Sequence, residues 1–475
     1  MHLYKQIYTL TVLLLLLSEN AAAQKDRANN SDMKEAGIFY TDIPSHPYDL
    51  IVSRPTLHSA TISILTNTLL TGHIQYGVNS KWLDNKTDEF SCTAGITVFI
   101  PLKALQADKR YYYQFVYQQA NNEHEGQSTL NFFHTARATS SDFSFTLQAD
   151  SHLDENTDTS MYLKTLQNMV ADSADFLIDL GDTWMSDKYK TDYHQSLKQY
   201  IAQRFYLGAL CKSSSLFLTL GNHDGEFGLQ QRKKNADNIC NWSTATRKSY
   251  YANPIPDDFY SGNIEKEPIV DNPENYYAWE WGNALFIVLD PFRYTNGNKD
   301  PWDRTLGEQQ YRWLKNTLEH SKAHFKFVFI HNLVGGIDIK GKGRGGAEAA
   351  NYFEWGGTDT NSVNTFSKKR PNWEMPIHQL LVANKVNIVF HGHDHFFAKQ
   401  EKDGIIYQLV PQPGSNRYGN VRTAEEYGYR TGTIFNTPGY LKIDVSHNKA
   451  IINYIQSSGD LKHKNKDIIY SYIIE

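Results

Sequence analysis

Cysteine, net charge and long apolar runs are all scarce in this chain of 475 residues. Three cysteines are too few for a scaffold held together by disulfides. A formal net charge of −5 gives no reason to expect a nucleic acid or an anionic membrane surface as a partner. No apolar run is long enough to cross a bilayer comfortably, so no membrane span is predicted. A chain of this length is too long to fold around one compact core, so we expect two domains.

The first 45 residues carry a targeting pattern. Lys5 precedes an apolar run at residues 7–17, and small residues follow at 21–23. This order is typical of a signal peptide with an A-x-A cleavage site. We therefore predict a signal peptide at residues 1–23, a flexible leader at 24–45, and export to the periplasm or the medium.

Export would bring the cysteines into an oxidising compartment. A disulfide between Cys211 and Cys240 is then one possibility. The alternative, equally consistent with the sequence, is that all three cysteines, Cys92, Cys211 and Cys240, are free and pack as small buried hydrophobic residues.

Residues 46–137 are predicted to form a β-sandwich domain. Short β-rich runs such as "SATISILTN", "GHIQYGV" and "RYYYQFVYQQ" alternate with turn residues, and no helical period interrupts them. This stretch contains no cluster of metal-ligating residue types. A spacer or packing domain without chemistry is the favoured interpretation.

Residues 143–475 have a different, α/β pattern. The strands "FSFTLQ", "FLIDLG" and "LFLTLG" alternate with helical stretches, which predicts βαβ units and a second, catalytic domain. Five apolar strands in this part end in residues that bind metals. In open α/β sheets ligands gather beyond the carboxyl ends of the strands, so we expect these side chains to meet. They are Asp150, His152, Asp182, Asn222, His223, Asp224, His331, His393 and His395.

The order of these motifs resembles that of the calcineurin-like metallophosphoesterases. The motifs D-x-H, G-D, G-N-H-D, an isolated His and G-H-x-H begin at Asp150, Gly181, Gly221, His331 and Gly392. The resemblance implies a sandwich of two mixed sheets flanked by helices. The preceding strands are similar to the fibronectin-like domain of purple acid phosphatases, which implies an all-β sandwich ahead of the catalytic domain.

The same resemblance implies a role for each residue. One metal ion would be held by Asp150, His152 and His395, and the second by Asn222, His331 and His393, with Asp182 bridging the two. His223 would act on the phosphate, and Asp224 would orient His223. His391 has no ligand role in the family, so we interpret it as a structural residue or one that touches a ligand.

One position departs from the purple enzymes. Their bridging motif supplies a tyrosinate that binds ferric iron, whereas this chain has Met185 there and a histidine, His152, in the ligand slot. The resemblance therefore implies two divalent ions, and Mn, Zn and Fe all suit this mixture of nitrogen and oxygen ligands.

Two later segments could contact a substrate. A glycine-rich and then aromatic stretch follows His331 and offers Arg344 to clamp a phosphate oxygen and Trp355 to stack on a leaving group. Arg417, in "PQPGSNRYGN", is a third candidate.

These patterns predict an exported two-metal phosphoesterase in which a metal-bound hydroxide attacks phosphorus directly. A small phosphorylated molecule is the expected partner, with phosphomonoesters as the first interpretation and phosphodiesters or nucleotides as the second. A non-catalytic protein that binds glycans through its sandwich is the alternative from another class. The sequence gives no indication of the oligomeric state.

Overall fold

The structure, a computed structural model, describes residues 38–119, 125–189, 192–231, 238–297, 299–337, 343–460 and 462–475. The predicted signal peptide and most of the predicted leader lie outside these residues, so export stays a prediction. Within the described ranges, no helix combines the length and the apolar character that a membrane crossing requires.

The described residues before 135 form nine strands, in the stretch where the sequence predicts short strands. Alternate residues of the strand at 110–119, Tyr111, Tyr113 and Phe115, point into a buried core, whereas Arg110, Tyr112 and Gln114 are only partly buried. The strands are β1 (Tyr48–Ser53), β2 (Ala60–Thr66), β3 (Leu70–Gly77), β4 (Asn85–Lys86), β5 (Phe90–Cys92), β6 (Val98–Leu102), β7 (Arg110–Gln119), β8 (Glu125–Gln127) and β9 (Asn131–His134). Antiparallel pairing joins β3, β4, β5, β7, β8 and β9 into one sheet, and an apolar core separates this sheet from β1, β2 and β6.

The residues after 135 that the structure describes supply fourteen more strands. They are β10 (Phe143–Gln148), β11 (Phe176–Asp179), β12 (Ser215–Leu218), β13 (Ser261–Gly262), β14 (Tyr277–Trp281), β15 (Ala284–Val288), β16 (Phe325–Phe329), β17 (Ile388–His391), β18 (Phe397–Lys402), β19 (Ile405–Leu409), β20 (Thr433–Phe435), β21 (Gly439–Val445), β22 (Ala450–Gln456) and β23 (Ile468–Ile474). One sheet has the order β23-β22-β21-β10-β11-β12-β1-β2-β6, and a second has the order β13-β14-β15-β16-β17-β19-β18-β20.

Side-chain caps begin three of the helices. Asp158, Asp192 and Asn238 each accept a hydrogen bond from a backbone N–H of the first turn. The helices are α1 (Thr159–Val170), α2 (Tyr193–Cys211), α3 (Ile239–Tyr250), α4 (Glu308–His320), α5 (Phe353–Gly356), α6 (Phe366–Lys369) and α7 (Ile377–Ala383). Helices α1 and α2 cover one sheet and α4, α5 and α7 cover the other, which leaves a layer of buried aromatic residues between the two sheets. This confirms the predicted sandwich of two mixed sheets flanked by helices.

The N-terminal strands are joined to the catalytic part through a common sheet. β1 lies beside β12 in parallel, with Ser53 opposite Leu216. Arg204 of α2 is fully buried, and its guanidinium donates to the backbone oxygens of Asp49 and Ser63. Sheet pairing therefore runs across the domain boundary predicted at residues 137–143.

All three cysteines are free and buried. Cys92 lies in the N-terminal core, Cys211 ends α2, and Cys240 accepts a hydrogen bond from Arg293 at 3.1 Å. The structure thus favours small buried residues over the disulfide between Cys211 and Cys240.

Candidate metal centre and substrate cavity

The predicted ligands meet because parallel strands of both sheets end at one place. β10, β11 and β12 are parallel neighbours in the first sheet, and β16 and β17 are parallel neighbours in the second. Hydrogen bonds join the segments that leave these strands: the Asp150 N–H donates to Gly181, and the Gly392 N–H donates to His331. The candidate ligands lie just beyond these carboxyl ends, as open α/β sheets place their sites.

Two groups of side chains converge there. Asp150, His152 and His395 form the first group, and Asp182, His331 and His393 form the second. Within each group the potential ligand atoms all lie within 4.8 Å of one another. In addition, the Asn222 side-chain oxygen lies 3.2 Å from His331 Nε2.

Asp182 lies between the two groups. Its Oδ2 is 3.7 Å from His152 Nε2 in the first group and 3.2 Å from His331 Nε2 in the second. Its Oδ1 accepts a hydrogen bond from the His223 N–H at 2.8 Å, which fixes the carboxylate. One oxygen thus faces both groups, as a bridging ligand requires.

The backbone around these ligands is tightly folded. Asp150, His152, Asp182, His393 and His395 all have left-handed φ angles, between 52° and 77°. Non-glycine residues rarely adopt this conformation, and it is concentrated at functional sites. One glycine of the motifs, Gly221, is needed because there is no room for a side chain: a Cβ atom there would lie 2.1 Å from the Asp182 nitrogen.

The buried atoms, the charges and the donor types of these candidate ligands all suit the binding of cations. Asp150 Oδ1 and His152 Nε2 are buried and have no hydrogen-bond partner among the described residues. Although burial opposes a charge on His331, the carboxylates of Asp182 and Asp150 raise the pKa of this imidazole to about 9. The negative charge of these two carboxylates favours a cation beside His331. The donors are imidazoles, carboxylates and one carboxamide, a set that suits Mn, Zn or Fe.

The sequence model of the calcineurin-like phosphoesterases matches residues 143–397. The chain belongs to this family. It is a metal-dependent phosphoester hydrolase, as the motif order predicts.

Known proteins similar to this phosphoesterase include purple acid phosphatases. Purple acid phosphatase 7 of Arabidopsis thaliana is 22% identical over 294 residues, which are 61% of this chain and 75% of that protein. The structure of PhoD has a TM-score of 0.63 and 15% identity, with 91% of each chain covered. Purple acid phosphatase PPD1 from yellow lupin (Lupinus luteus) seeds has a TM-score of 0.59 and 12% identity, with 90% of this chain and 74% of that chain covered. The two structural likenesses show the fold.

His223 is held by a carboxylate that the sequence analysis missed. Its Nδ1 lies 2.8 Å and 2.9 Å from the two oxygens of Asp187. Burial lowers the pKa of His223, but the charges of Asp182 and Asp187 outweigh burial and raise it above its ordinary value. Because Nδ1 faces Asp187, Nε2 is the nitrogen left to serve a substrate in the phosphoesterase.

The prediction that Asp224 orients His223 is therefore wrong. The Asp224 carboxylate accepts three backbone hydrogen bonds, from Asp182 at 3.1 Å, Gly221 at 2.6 Å and Trp184 at 2.8 Å. It fixes the backbone that carries the Asp182 carboxylate.

A cavity of about 540 Å³ opens beside the metal ligands. His223, Asn222 and His393 belong to its lining. Two arginines contribute positive charge, and aromatic and aliphatic side chains form an apolar wall. These residues are Arg304, Arg344, Phe227, Leu229, Pro291, Phe292 and Val334.

Of the three predicted substrate-binding residues, only Arg344 lines this cavity. Its guanidinium lies 3.8 Å from the centre of the Tyr427 ring. Trp355 is fully buried, and its indole N–H donates to Tyr407 at 2.9 Å, so the prediction that it stacks on a leaving group is wrong. Arg417 is exposed and is not part of the cavity lining, which removes it from the set.

His391 and Met185 lie outside the two ligand groups. His391 is 1% exposed, and burial lowers its pKa to about 3. Met185 is also buried, and its N–H donates to Gln199. The first ligand group contains the imidazole of His152 and does not contain the side chain at position 185.

We expect His223→Ala to keep both metal ions and to lower kcat by about 10²–10⁴-fold, the usual contribution of general acid–base catalysis. The backbone N–H that holds Asp182 remains in this variant. The loss should be smaller for an ester with a very good leaving group, because such a group departs without a proton. Steady-state kinetics and metal analysis of one sample check this. Loss of metal would instead place His223 among the ligands.

Proposed function

We propose that this phosphoesterase hydrolyses phosphomonoesters of small molecules. One divalent ion would be held by Asp150, His152 and His395 and a second by Asn222, His331 and His393, with Asp182 shared. The observation that carries the proposal is the cavity that joins these ligands to His223 and two arginines.

Two cations bound there supply Lewis acidity, lower the pKa of a water nucleophile and neutralise phosphoryl charge. The residues of the chain do the rest. Asp187 orients His223 so that its Nε2 can pass a proton to the leaving oxygen. Arg304 and Arg344 add positive charge to the cavity lining.

The cavity favours a monoester over a diester. A monoester phosphate carries up to two negative charges, and two guanidiniums beside the cations match that charge. A diester carries one charge and needs room for a second organic group. The volume of about 540 Å³ falls within the range typical of small-molecule sites.

The test is a panel of esters that share one leaving group. With 4-nitrophenyl phosphate and bis(4-nitrophenyl) phosphate, we expect kcat/KM to be at least about tenfold higher for the monoester, which corresponds to roughly 1.4 kcal/mol. Nucleoside monophosphates complete the panel, and metal analysis is done on the same protein. Arg304→Met and Arg344→Met should each reduce the monoester preference.

Other outcomes would point elsewhere. A higher kcat/KM for the diester would support the phosphodiesterase interpretation. If the metal-loaded protein hydrolysed no ester of the panel and bound glycans, the glycan-binding interpretation would replace the proposal.

A further inference from the structure

A short 3₁₀ turn, Ser186–Tyr189, connects two separate parts of the site. It follows the loop that carries Asp182, and two adjacent side chains leave it in different directions. Asp187 contacts His223. Lys188 forms an ion pair with Asp154, a residue that the ligand motifs do not include.

Asp154 faces the back of a metal ligand. Its side chain is 1% exposed, and its Oδ2 lies 3.7 Å from His152 Nδ1. On the other side of the same ring, Nε2 faces the ligand carboxylates of Asp150 at 3.8 Å and Asp182 at 3.7 Å. An imidazole that binds a metal through Nε2 carries its proton on Nδ1, and a carboxylate beside Nδ1 fixes the orientation and basicity of the ring.

Lys188 compensates the negative charge of the buried Asp154 carboxylate. A carboxylate removed from water is costly unless a charge or hydrogen bonds compensate it. Asp154 Oδ1 accepts one backbone hydrogen bond, from Asn156 at 2.9 Å, and Lys188 pairs with Oδ2. The Lys188 side chain is 31% exposed, so it can be replaced with little disturbance of the core.

Helix α2 holds the turn and the ligand together. Gln199 accepts a hydrogen bond from the Met185 N–H at 2.8 Å and donates one to the His152 carbonyl oxygen. Tyr200 of the same helix lies 3.1 Å from the Ser186 hydroxyl. The turn therefore has a fixed position relative to His152.

We propose that the Ser186–Tyr189 turn positions two functional groups at once. Lys188, acting through Asp154, holds His152 in place as a metal ligand, and Asp187 separately holds the proton-carrying His223. Lys188 and Asp187 are positioning residues. The inference rests on the proposed function, since it assumes that His152 binds a metal ion and that His223 serves the substrate.

The experiment separates the two branches in the full chain. Zn²⁺ is titrated calorimetrically into metal-stripped protein for Lys188→Met, Lys188→Arg, Asp187→Asn and Lys198→Met. Lys198 is an exposed lysine of α2 and serves as the matched control. We expect Lys188→Met to weaken one of two binding events by about 10–100-fold and to leave the other unchanged. Lys188→Arg should restore most of the affinity, and the control should match the wild type.

Asp187→Asn should show the opposite pattern. Both Zn²⁺ ions should bind with wild-type affinity, whereas kcat should fall at least about tenfold, more for poor leaving groups than for good ones. Thermal unfolding is recorded for each variant.

Three results would overturn the inference. In the first, Lys188→Met binds both ions normally. In the second, it weakens both binding events equally while its melting temperature falls. In the third, Asp187→Asn loses a metal ion. Because calorimetry needs no substrate, the Lys188 branch is decided even if the wild type hydrolyses no monoester and the proposed function fails.

Discussion

Asp182→Asn is expected to remove at least one bound metal ion per chain and to lower kcat by about 10⁴-fold or more. Asp182 Oδ2 faces both ligand groups, so this change removes a negative charge that two cations would share. A metal ion contributes several kcal/mol of transition-state stabilisation, and every 1.4 kcal/mol is about tenfold in rate. Metal content and kcat are measured on the same purified sample.

Asp179→Asn is the matched control. Asp179 is the last residue of β11, three positions before Asp182, and is fully buried. It binds Gln148, Thr183 and the Gly181 N–H, none of which is a proposed ligand. This variant should keep two metal ions. Two ions and a near-normal rate in Asp182→Asn would disprove the bridging assignment.

The second large effect concerns the three histidines of "HGHDH". His393→Ala and His395→Ala should each weaken metal binding and nearly abolish hydrolysis, because each imidazole belongs to a different ligand group. His391→Ala should keep both ions and cost less activity. His391 is buried outside both groups, so its loss should appear as about 1–3 kcal/mol of unfolding free energy.

Metal analysis and chemical denaturation of the three variants decide this. His391 is the internal control, since it lies on the same segment and is also an imidazole. Equal metal loss in all three variants would show that the ligand assignment within the segment is mistaken.

The clustering of the candidate metal ligands could be predicted from the sequence because each follows an apolar strand. Strand ends are local features, and parallel strands bring their carboxyl ends together by topology. The two groups that the structure brings together contain only predicted residues. The side chains that act on these ligands were harder to find.

Asp224 and Asp187 show why. Asp224 is the chain neighbour of His223, yet its carboxylate turns towards the backbone N–H groups of Asp182 and Trp184. Asp187 is distant in sequence and is placed beside His223 by the fold of the loop after β11. Where the backbone turns sharply, proximity along the chain does not predict which side chains contact each other.

Trp355 was misjudged for a related reason. An aromatic residue after a glycine-rich stretch resembles a binding residue, but α5 packs against the second sheet and buries the indole beside Tyr407. Arg304 reaches the cavity without any motif to mark it. Burial and cavity lining depend on tertiary packing, which periodicity does not report.

The shared sheet means that the N-terminal strands complete one sheet of the catalytic part. β12 precedes Asn222 and His223, and its free side is covered by β1. A chain cut at residue 143 would leave β12 as an open edge with unpaired backbone groups, and such edges recruit other strands. The N-terminal strands are thus a lateral cap on the strand that leads into the candidate active site.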